Sequence, residues 1–143
     1  MLNEYLTSVY QDCGRGELVR GRPAYDCWAL VREVRHRLYG LPLLPSFGGI
    51  HAMDKESLTE AHDRQRELMQ ECEPFPGAIA AVYRGRLCLH VAVVVEIEGD
   101  LAVLETRPGG PRWMRIPEFE RQYTRVRYYR DRDLPIEPGR TPG

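Results

Sequence analysis

The sequence predicts an α+β domain in which N-terminal helices pack on a central antiparallel sheet of about five strands. Three observations carry this expectation. Up to Pro74, apolar residues recur at helical spacing, with Asp or Gly where helices should begin or end. Beyond Pro74 they gather in β-branched runs separated by Arg84-Gly85-Arg86 and Glu98-Gly99-Asp100, breaks of the hairpin kind. The length, 143 residues, suffices for one hydrophobic core and falls short of that at which chains divide into several.

Leu2, Leu6 and Val9, with Tyr5 and Tyr10 beside them, predict a short amphipathic helix over residues 2–12 that Gly14 and Gly16 end. Residues 16–25, rich in Arg, Gly and Pro, read as a loop leading to Asp26. Asp26 is a good N-cap, because its carboxylate can accept from the free N–H groups of a first helical turn. Behind it Cys27, Leu30, Val31, Val34 and Leu38 form one stripe of a helix that Gly40 and Pro42 terminate. Residues 41–53 read as a connecting loop. Asp54 then caps a further helix in which Leu58, Ala61, Leu68 and Met69 share a face, with Glu56, Glu60, Asp63, Arg64 and Glu67 turned to water. Strands are expected over 78–83, 87–97, 101–105, 112–116 and 125–129, with a helical turn over 117–121. Residues 131–143 hold Pro135, Pro138 and Pro142 and few apolar side chains, so a flexible tail is expected there and the domain is assigned to residues 1–130.

Composition narrows the function. With 43% hydrophobic and 29% charged residues the chain is of ordinary globular type, not disordered or fibrous. Twenty basic against 21 acidic residues leave a net charge of -1, so neither nucleic acid nor a membrane is expected as a partner. No run is long and apolar enough to span a membrane, and MLNEYLTSVY lacks a basic region followed by an apolar one; synthesis in the cytoplasm without a signal peptide is expected. Cys13, Cys27, Cys72 and Cys88 are too few for a disulfide framework, and no two have the two-residue separation of zinc knuckles, so no metal site is expected.

Each cysteine is then core filler or nucleophile. Cys27 opens a helix, where free N–H groups and the helix dipole stabilise the anionic, nucleophilic form of a thiol. Filling the core is the commoner fate of a lone cysteine, and a second residue is needed to overturn that reading. His90 is such a residue: it interrupts the apolar run Leu87-Cys88-Leu89-His90-Val91-Ala92-Val93-Val94-Val95, where an imidazole is costly without a partner or a cleft. A thiol and a histidine that meet in space are what thiol nucleophile and base require. His36, His51 and His62 lie among charged residues or glycines and read as solvated. A third group should accept from the imidazole nitrogen turned away from the thiol. With a turn at Glu98-Gly99-Asp100, antiparallel register brings Glu105 within a few positions of His90; Glu96 and Glu98 are the alternatives, closer to the turn.

These residues resemble a family. Tyr25-Asp26-Cys27-Trp28-Ala29-Leu30-Val31 is similar to the signature around the nucleophile of the NlpC family of cell-wall cysteine peptidases, and Trp28 to a variant in phage tail-associated members. Phe75-Pro76-Gly77-Ala78-Ile79 resembles the family's entry to its first central strand, Leu89-His90-Val91-Ala92-Val93-Val94 its histidine strand, and Val103-Leu104-Glu105 falls where the next strand presents a polar residue, often His. The resemblance covers roughly residues 14–116. Ala29 stands where the family usually has Gly, Ala78 where it often has Asp, and Glu105 in place of His.

The resemblance implies a papain-like, NlpC-type fold and hydrolysis of an amide bond in peptidoglycan stem peptides, between D-glutamate and a diamino acid. Cys27, His90 and Glu105 would be its triad, Tyr25, Asp26 and Trp28 would line the cleft, and no cofactor is needed. It further implies delivery by a phage tail, with tail-tip proteins as partners and the cell-wall space as the place of action. The alternative is a tail-assembly or tail-tip structural protein that keeps the fold with weak or no catalysis.

Overall fold

The structure, a computed structural model, describes residues 2–44, 69–123 and 125–132. The helix expected over residues 2–12 is one short turn, α1 (Leu2–Leu6). It stops where the Ser8 N–H and Ser8 Oγ both donate to the Tyr5 carbonyl, the acceptor that Val9 N–H would need to continue the helix. The chain then extends into β1 (Val9–Tyr10). The loop expected over 16–25 is a hairpin, β2 (Arg15–Val19) and β3 (Arg22–Tyr25). Val19 pairs with Arg22, so the turn is the two residues Arg20 and Gly21, both at positive φ (51° and 78°), the geometry that matches strand twist. β1 adds to this hairpin in parallel, giving a three-stranded sheet of order β1-β3-β2.

The helix expected behind Asp26 is α2 (Cys27–Tyr39). Asp26 Oδ1 accepts from the Ala29 N–H at 2.8 Å, and Gly40 closes the helix in the left-handed region at φ 64°. The remaining strands are β4 (Met69–Cys72), β5 (Ile79–Arg84), β6 (Leu87–Ile97), β7 (Asp100–Arg107), β8 (Gly110–Arg115) and β9 (Arg125–Asp131), with α3 (Ile116–Gln122) before the last. They form a six-stranded sheet of order β4-β9-β5-β6-β7-β8, antiparallel at every pairing. The expected α+β class and five of these strands are present. Met69 is corrected from helix to strand: it is buried in β4 and paired with Asp131 of β9. Four residues on a sheet edge are too short for periodicity to announce. Asp131, expected in the tail, ends β9. Asp54, the rest of the helix expected behind it, residues 45–53 and residues 133–143 lie outside the described residues.

Both faces of the larger sheet are buried. Val91, Val93, Val95 and Leu104 pack under Leu30, Val31 and Val34 of α2. On the other face Val82, Ala92, Val94 and Val103 pack with Met114 and Phe119. Arg35 of α2 is fully buried, its Nε donating to the Gly77 carbonyl at 2.9 Å and its Nη2 to Asp131 Oδ2 at 2.7 Å, so one side chain ties the helix to the approach of β5 and the end of β9. Position 77 admits only glycine: φ is 98°, and a Cβ there would collide with the Leu41 side chain. Among the described residues no helix is long and apolar enough to cross a membrane.

Candidate active site

Cys27 is the first residue of α2 and is buried, at 7% exposure. What fixes its place is the Asp26 carboxylate, whose Oδ1 caps the helix while Oδ2 receives Arg15 Nη1 at 2.7 Å. Both oxygens are therefore engaged. Tyr25 and Trp28 sit in the core beneath α2, each 5% exposed, with the Tyr25 ring 6.1 Å from that of Tyr5. The three residues expected to line a cleft thus present little surface, and the visible work of Asp26 is to hold the start of the helix. Of the other cysteines, Cys88 is buried in the core against α2, and Cys13 and Cys72 are partly exposed.

His90 lies on β6 beside an irregularity. Val82 pairs with His90 but Tyr83 with Cys88, so Leu89 is an extra residue on β6, a bulge of the kind that re-aims a neighbouring side chain. The strands also part here. The β6–β7 ladder runs from Ile97↔Asp100 to Val93↔Leu104, beyond which β6 remains paired with β5 and β7 with β8. Across this fork, His90 Nε2 and Glu105 Oε1 are 2.7 Å apart. His90 is hydrogen-bonded to Cys27 as well. With Nε2 on Glu105, the nitrogen left for Cys27 is Nδ1. The structure therefore brings Cys27, His90 and Glu105 into one chain of contacts, drawn from a helix start and two neighbouring strands.

Glu105 is fully buried and has two further donors: Tyr123 to Oε1 at 2.7 Å and Arg112 Nε to Oε2 at 2.6 Å. Burial alone would push its carboxyl up, but the His90 hydrogen bond and charge, then Tyr123 and Arg112, outweigh burial and hold it at about 2. A carboxylate so held only accepts, which assigns the proton between it and His90 to Nε2. Burial would likewise push His90 down, yet its bonds and charge interactions with Cys27 and Glu105 hold it up at about 9. Burial and then Glu105 push the Tyr123 phenol up to about 12, which keeps it a donor.

These shifts link folding to pH. A base held up contributes stability that is complete below its ordinary 6.5 and lost as pH rises through about 9; an acid held down contributes above its ordinary 4.5 and loses this as pH falls through about 2. From this pair, thermal stability is expected to be highest between pH 4.5 and 6.5 and to decline toward pH 9. His90→Asn should flatten the alkaline decline in thermal unfolding followed by circular dichroism. An unchanged slope in that variant would assign the decline to other groups.

Arg15, Arg112 and Tyr123 escape sequence reasoning. Two are arginines among nineteen, and Tyr123 follows a short helix with no motif around it. What places Arg112 is the β7–β8 register, which sets it directly opposite Glu105. Tyr10 is another phenol near the thiol: burial, then Asp12, then Cys27 push it up to about 12. His36 is exposed and bonds the Leu41 carbonyl through Nδ1, while His51 and His62 lie outside the described residues. Among the described residues no group of three or more His, Cys, Asp or Glu could hold a metal ion. Comparisons of the chain with protein-family models, with curated proteins and with solved structures find no match.

Proposed function

We propose that the chain is a cysteine peptidase of the NlpC type that hydrolyses an amide bond in peptidoglycan stem peptides. The observation that carries the chemistry is the imidazole of His90, with Nε2 on the Glu105 carboxylate and its other nitrogen on Cys27. The substrate, the D-glutamyl to diamino acid bond, comes from the resemblance around Cys27 and His90, as does delivery by a phage tail.

In the reaction, Cys27 as thiolate and His90 as imidazolium, its second proton on Nδ1, form an ion pair, and the thiolate attacks the scissile carbonyl carbon. Negative charge then develops on the carbonyl oxygen. Backbone N–H groups at the start of α2 can stabilise it, apart from that of Ala29, which Asp26 already takes. The imidazolium gives its proton to the leaving amine as the C–N bond breaks, leaving a thioester on Cys27. Water attacks the thioester while His90 takes one of its protons; the acid product leaves and Cys27 is restored. Glu105 keeps the ring oriented throughout and stabilises the imidazolium without taking its proton.

The test is digestion of purified peptidoglycan by the protein and by Cys27→Ala, with released fragments weighed by mass spectrometry. The protein should release fragments whose masses report a cut in the peptide stem, and Cys27→Ala should release none. Intact peptidoglycan after treatment with folded protein would favour the structural tail-protein reading, and release by Cys27→Ala would remove the thiol from the mechanism.

A further inference from the structure

The proposed triad leaves one arrangement unexplained. Glu105 is wholly buried, yet its charge is divided among three donors from three different elements: His90 of β6, Arg112 of β8, and Tyr123 just after α3. Arg112 is not a long side chain that happens to reach it. The two residues are direct cross-strand partners, so the β7–β8 ladder fixes their approach. Tyr123 is held equally firmly, its ring 4.9 Å from Phe119 and 5.8 Å from His90.

We propose that the group orienting His90 is the Glu105–Arg112 pair, clamped by Tyr123 and acting as a single, electrically neutral acceptor. Arg112 and Tyr123 are then positioning residues for the reaction proposed above, on which this assignment of their role rests. The chemistry favours such a pair. A buried carboxylate with no other partner would grip the imidazolium proton, and an acid that holds its proton too tightly is a poor donor to a leaving amine. Arg112 draws charge toward Oε2, on the side away from His90, and the Tyr123 hydroxyl shares Oε1 with the imidazole. His90 keeps a directional acceptor and is spared the full pull of an unshared negative charge. Where the family resemblance leads one to expect a polar residue, often His, a carboxylate with its own counter-ion stands instead.

Among the described residues, the titratable groups that face His90 are Cys27 of α2, Glu105 of β7 and Tyr123, and those that face Glu105 are His90, Arg112 and Tyr123. The experiment follows the ring resonances of His90 by NMR against pH in the full chain, with His90→Asn to assign them. In Arg112→Gln the midpoint of His90 should rise by roughly half a pH unit or more, because a cation has been removed and the carboxylate charge is left to the imidazole. Tyr123→Phe, which deletes a single hydroxyl, should move it the same way and serves if Arg112→Gln does not fold. Arg112→Lys, which keeps the charge, should leave the midpoint near that of the unaltered protein. No movement in Arg112→Gln and Tyr123→Phe, a downward movement, or an equal rise in Arg112→Lys would each overturn the proposal. The titration needs no substrate. Failure to digest peptidoglycan would count against the proposed function and leave this result standing.

Discussion

Glu105→Ala is expected to lower turnover of the peptide stem by roughly 10³- to 10⁴-fold, the scale on which orienting carboxylates act in nucleophile–histidine–acid sites. The loss has two parts. Without the carboxylate nothing holds the ring by Nε2, so its other nitrogen can turn away from Cys27, and the imidazolium has lost the anion bonded to Nε2. Glu105→Gln should lose less, because an amide oxygen still accepts from Nε2. It cannot, however, stabilise the imidazolium as a full charge does. Arg112 is one-third exposed and turns to water when its partner is removed, so the fold should survive both changes. Steady-state rates for the three proteins, checked against their unfolding curves, decide the matter. Equal loss in Ala and Gln would mean that charge alone matters, and no loss in either would place the orienting role elsewhere.

The largest expected effect on stability lies at the Arg35–Asp131 pair, remote from that chemistry. Asp131→Ala should destabilise by about 3–5 kcal/mol, since it strands a guanidinium that is fully buried. Among the described residues Arg35 Nη1 has no hydrogen-bond partner, so none of them offers a spare acceptor to the group left behind. Arg35→Met should cost less than Asp131→Ala. It replaces the buried charge by an apolar chain of similar length, and the Asp131 carboxylate, 13% exposed, can turn toward water. Urea unfolding of both variants measures the asymmetry. A larger loss for Arg35→Met would show that the packing of the side chain outweighs its charge.

Much of this was legible in the sequence where independent signals agreed. The stripe behind Asp26 predicts α2 to within a residue, since capping, periodicity and a terminal Gly agree. The turn at Glu98-Gly99 was readable because apolar, β-branched runs flank it. The same turn chemistry at Arg20-Gly21, again two residues at positive φ, was not, because Glu17, Leu18 and Arg22 are exposed and leave no alternation to read. Helical spacing over residues 2–12 was real, but Ser8 ends the helix by turning its N–H and its hydroxyl to the Tyr5 carbonyl, a competition that periodicity does not register. Within the site, Cys27 and His90 stood out because each is unusual for its position. Arg112 and Tyr123 are ordinary residues whose role depends on register, which belongs to the pairing of strands and not to any stretch of chain.

The fork between β6 and β7 also bears on when, on the proposed mechanism, Cys27 meets its base. Ribosomal synthesis runs from N- to C-terminus, so α2 emerges long before the hairpin that supplies the base. A 13-residue helix is marginal by itself in water, and without a docked sheet nothing holds its start in place. The hairpin can zip from its Glu98-Gly99 tip, where contacts are local, and reaches His90 and Glu105 only after its last rung at Val93 and Leu104. Arg112 and Tyr123 come later still. On the proposed mechanism a nascent chain carries Cys27 without its base, and chemical competence arrives as one of the closing events of folding.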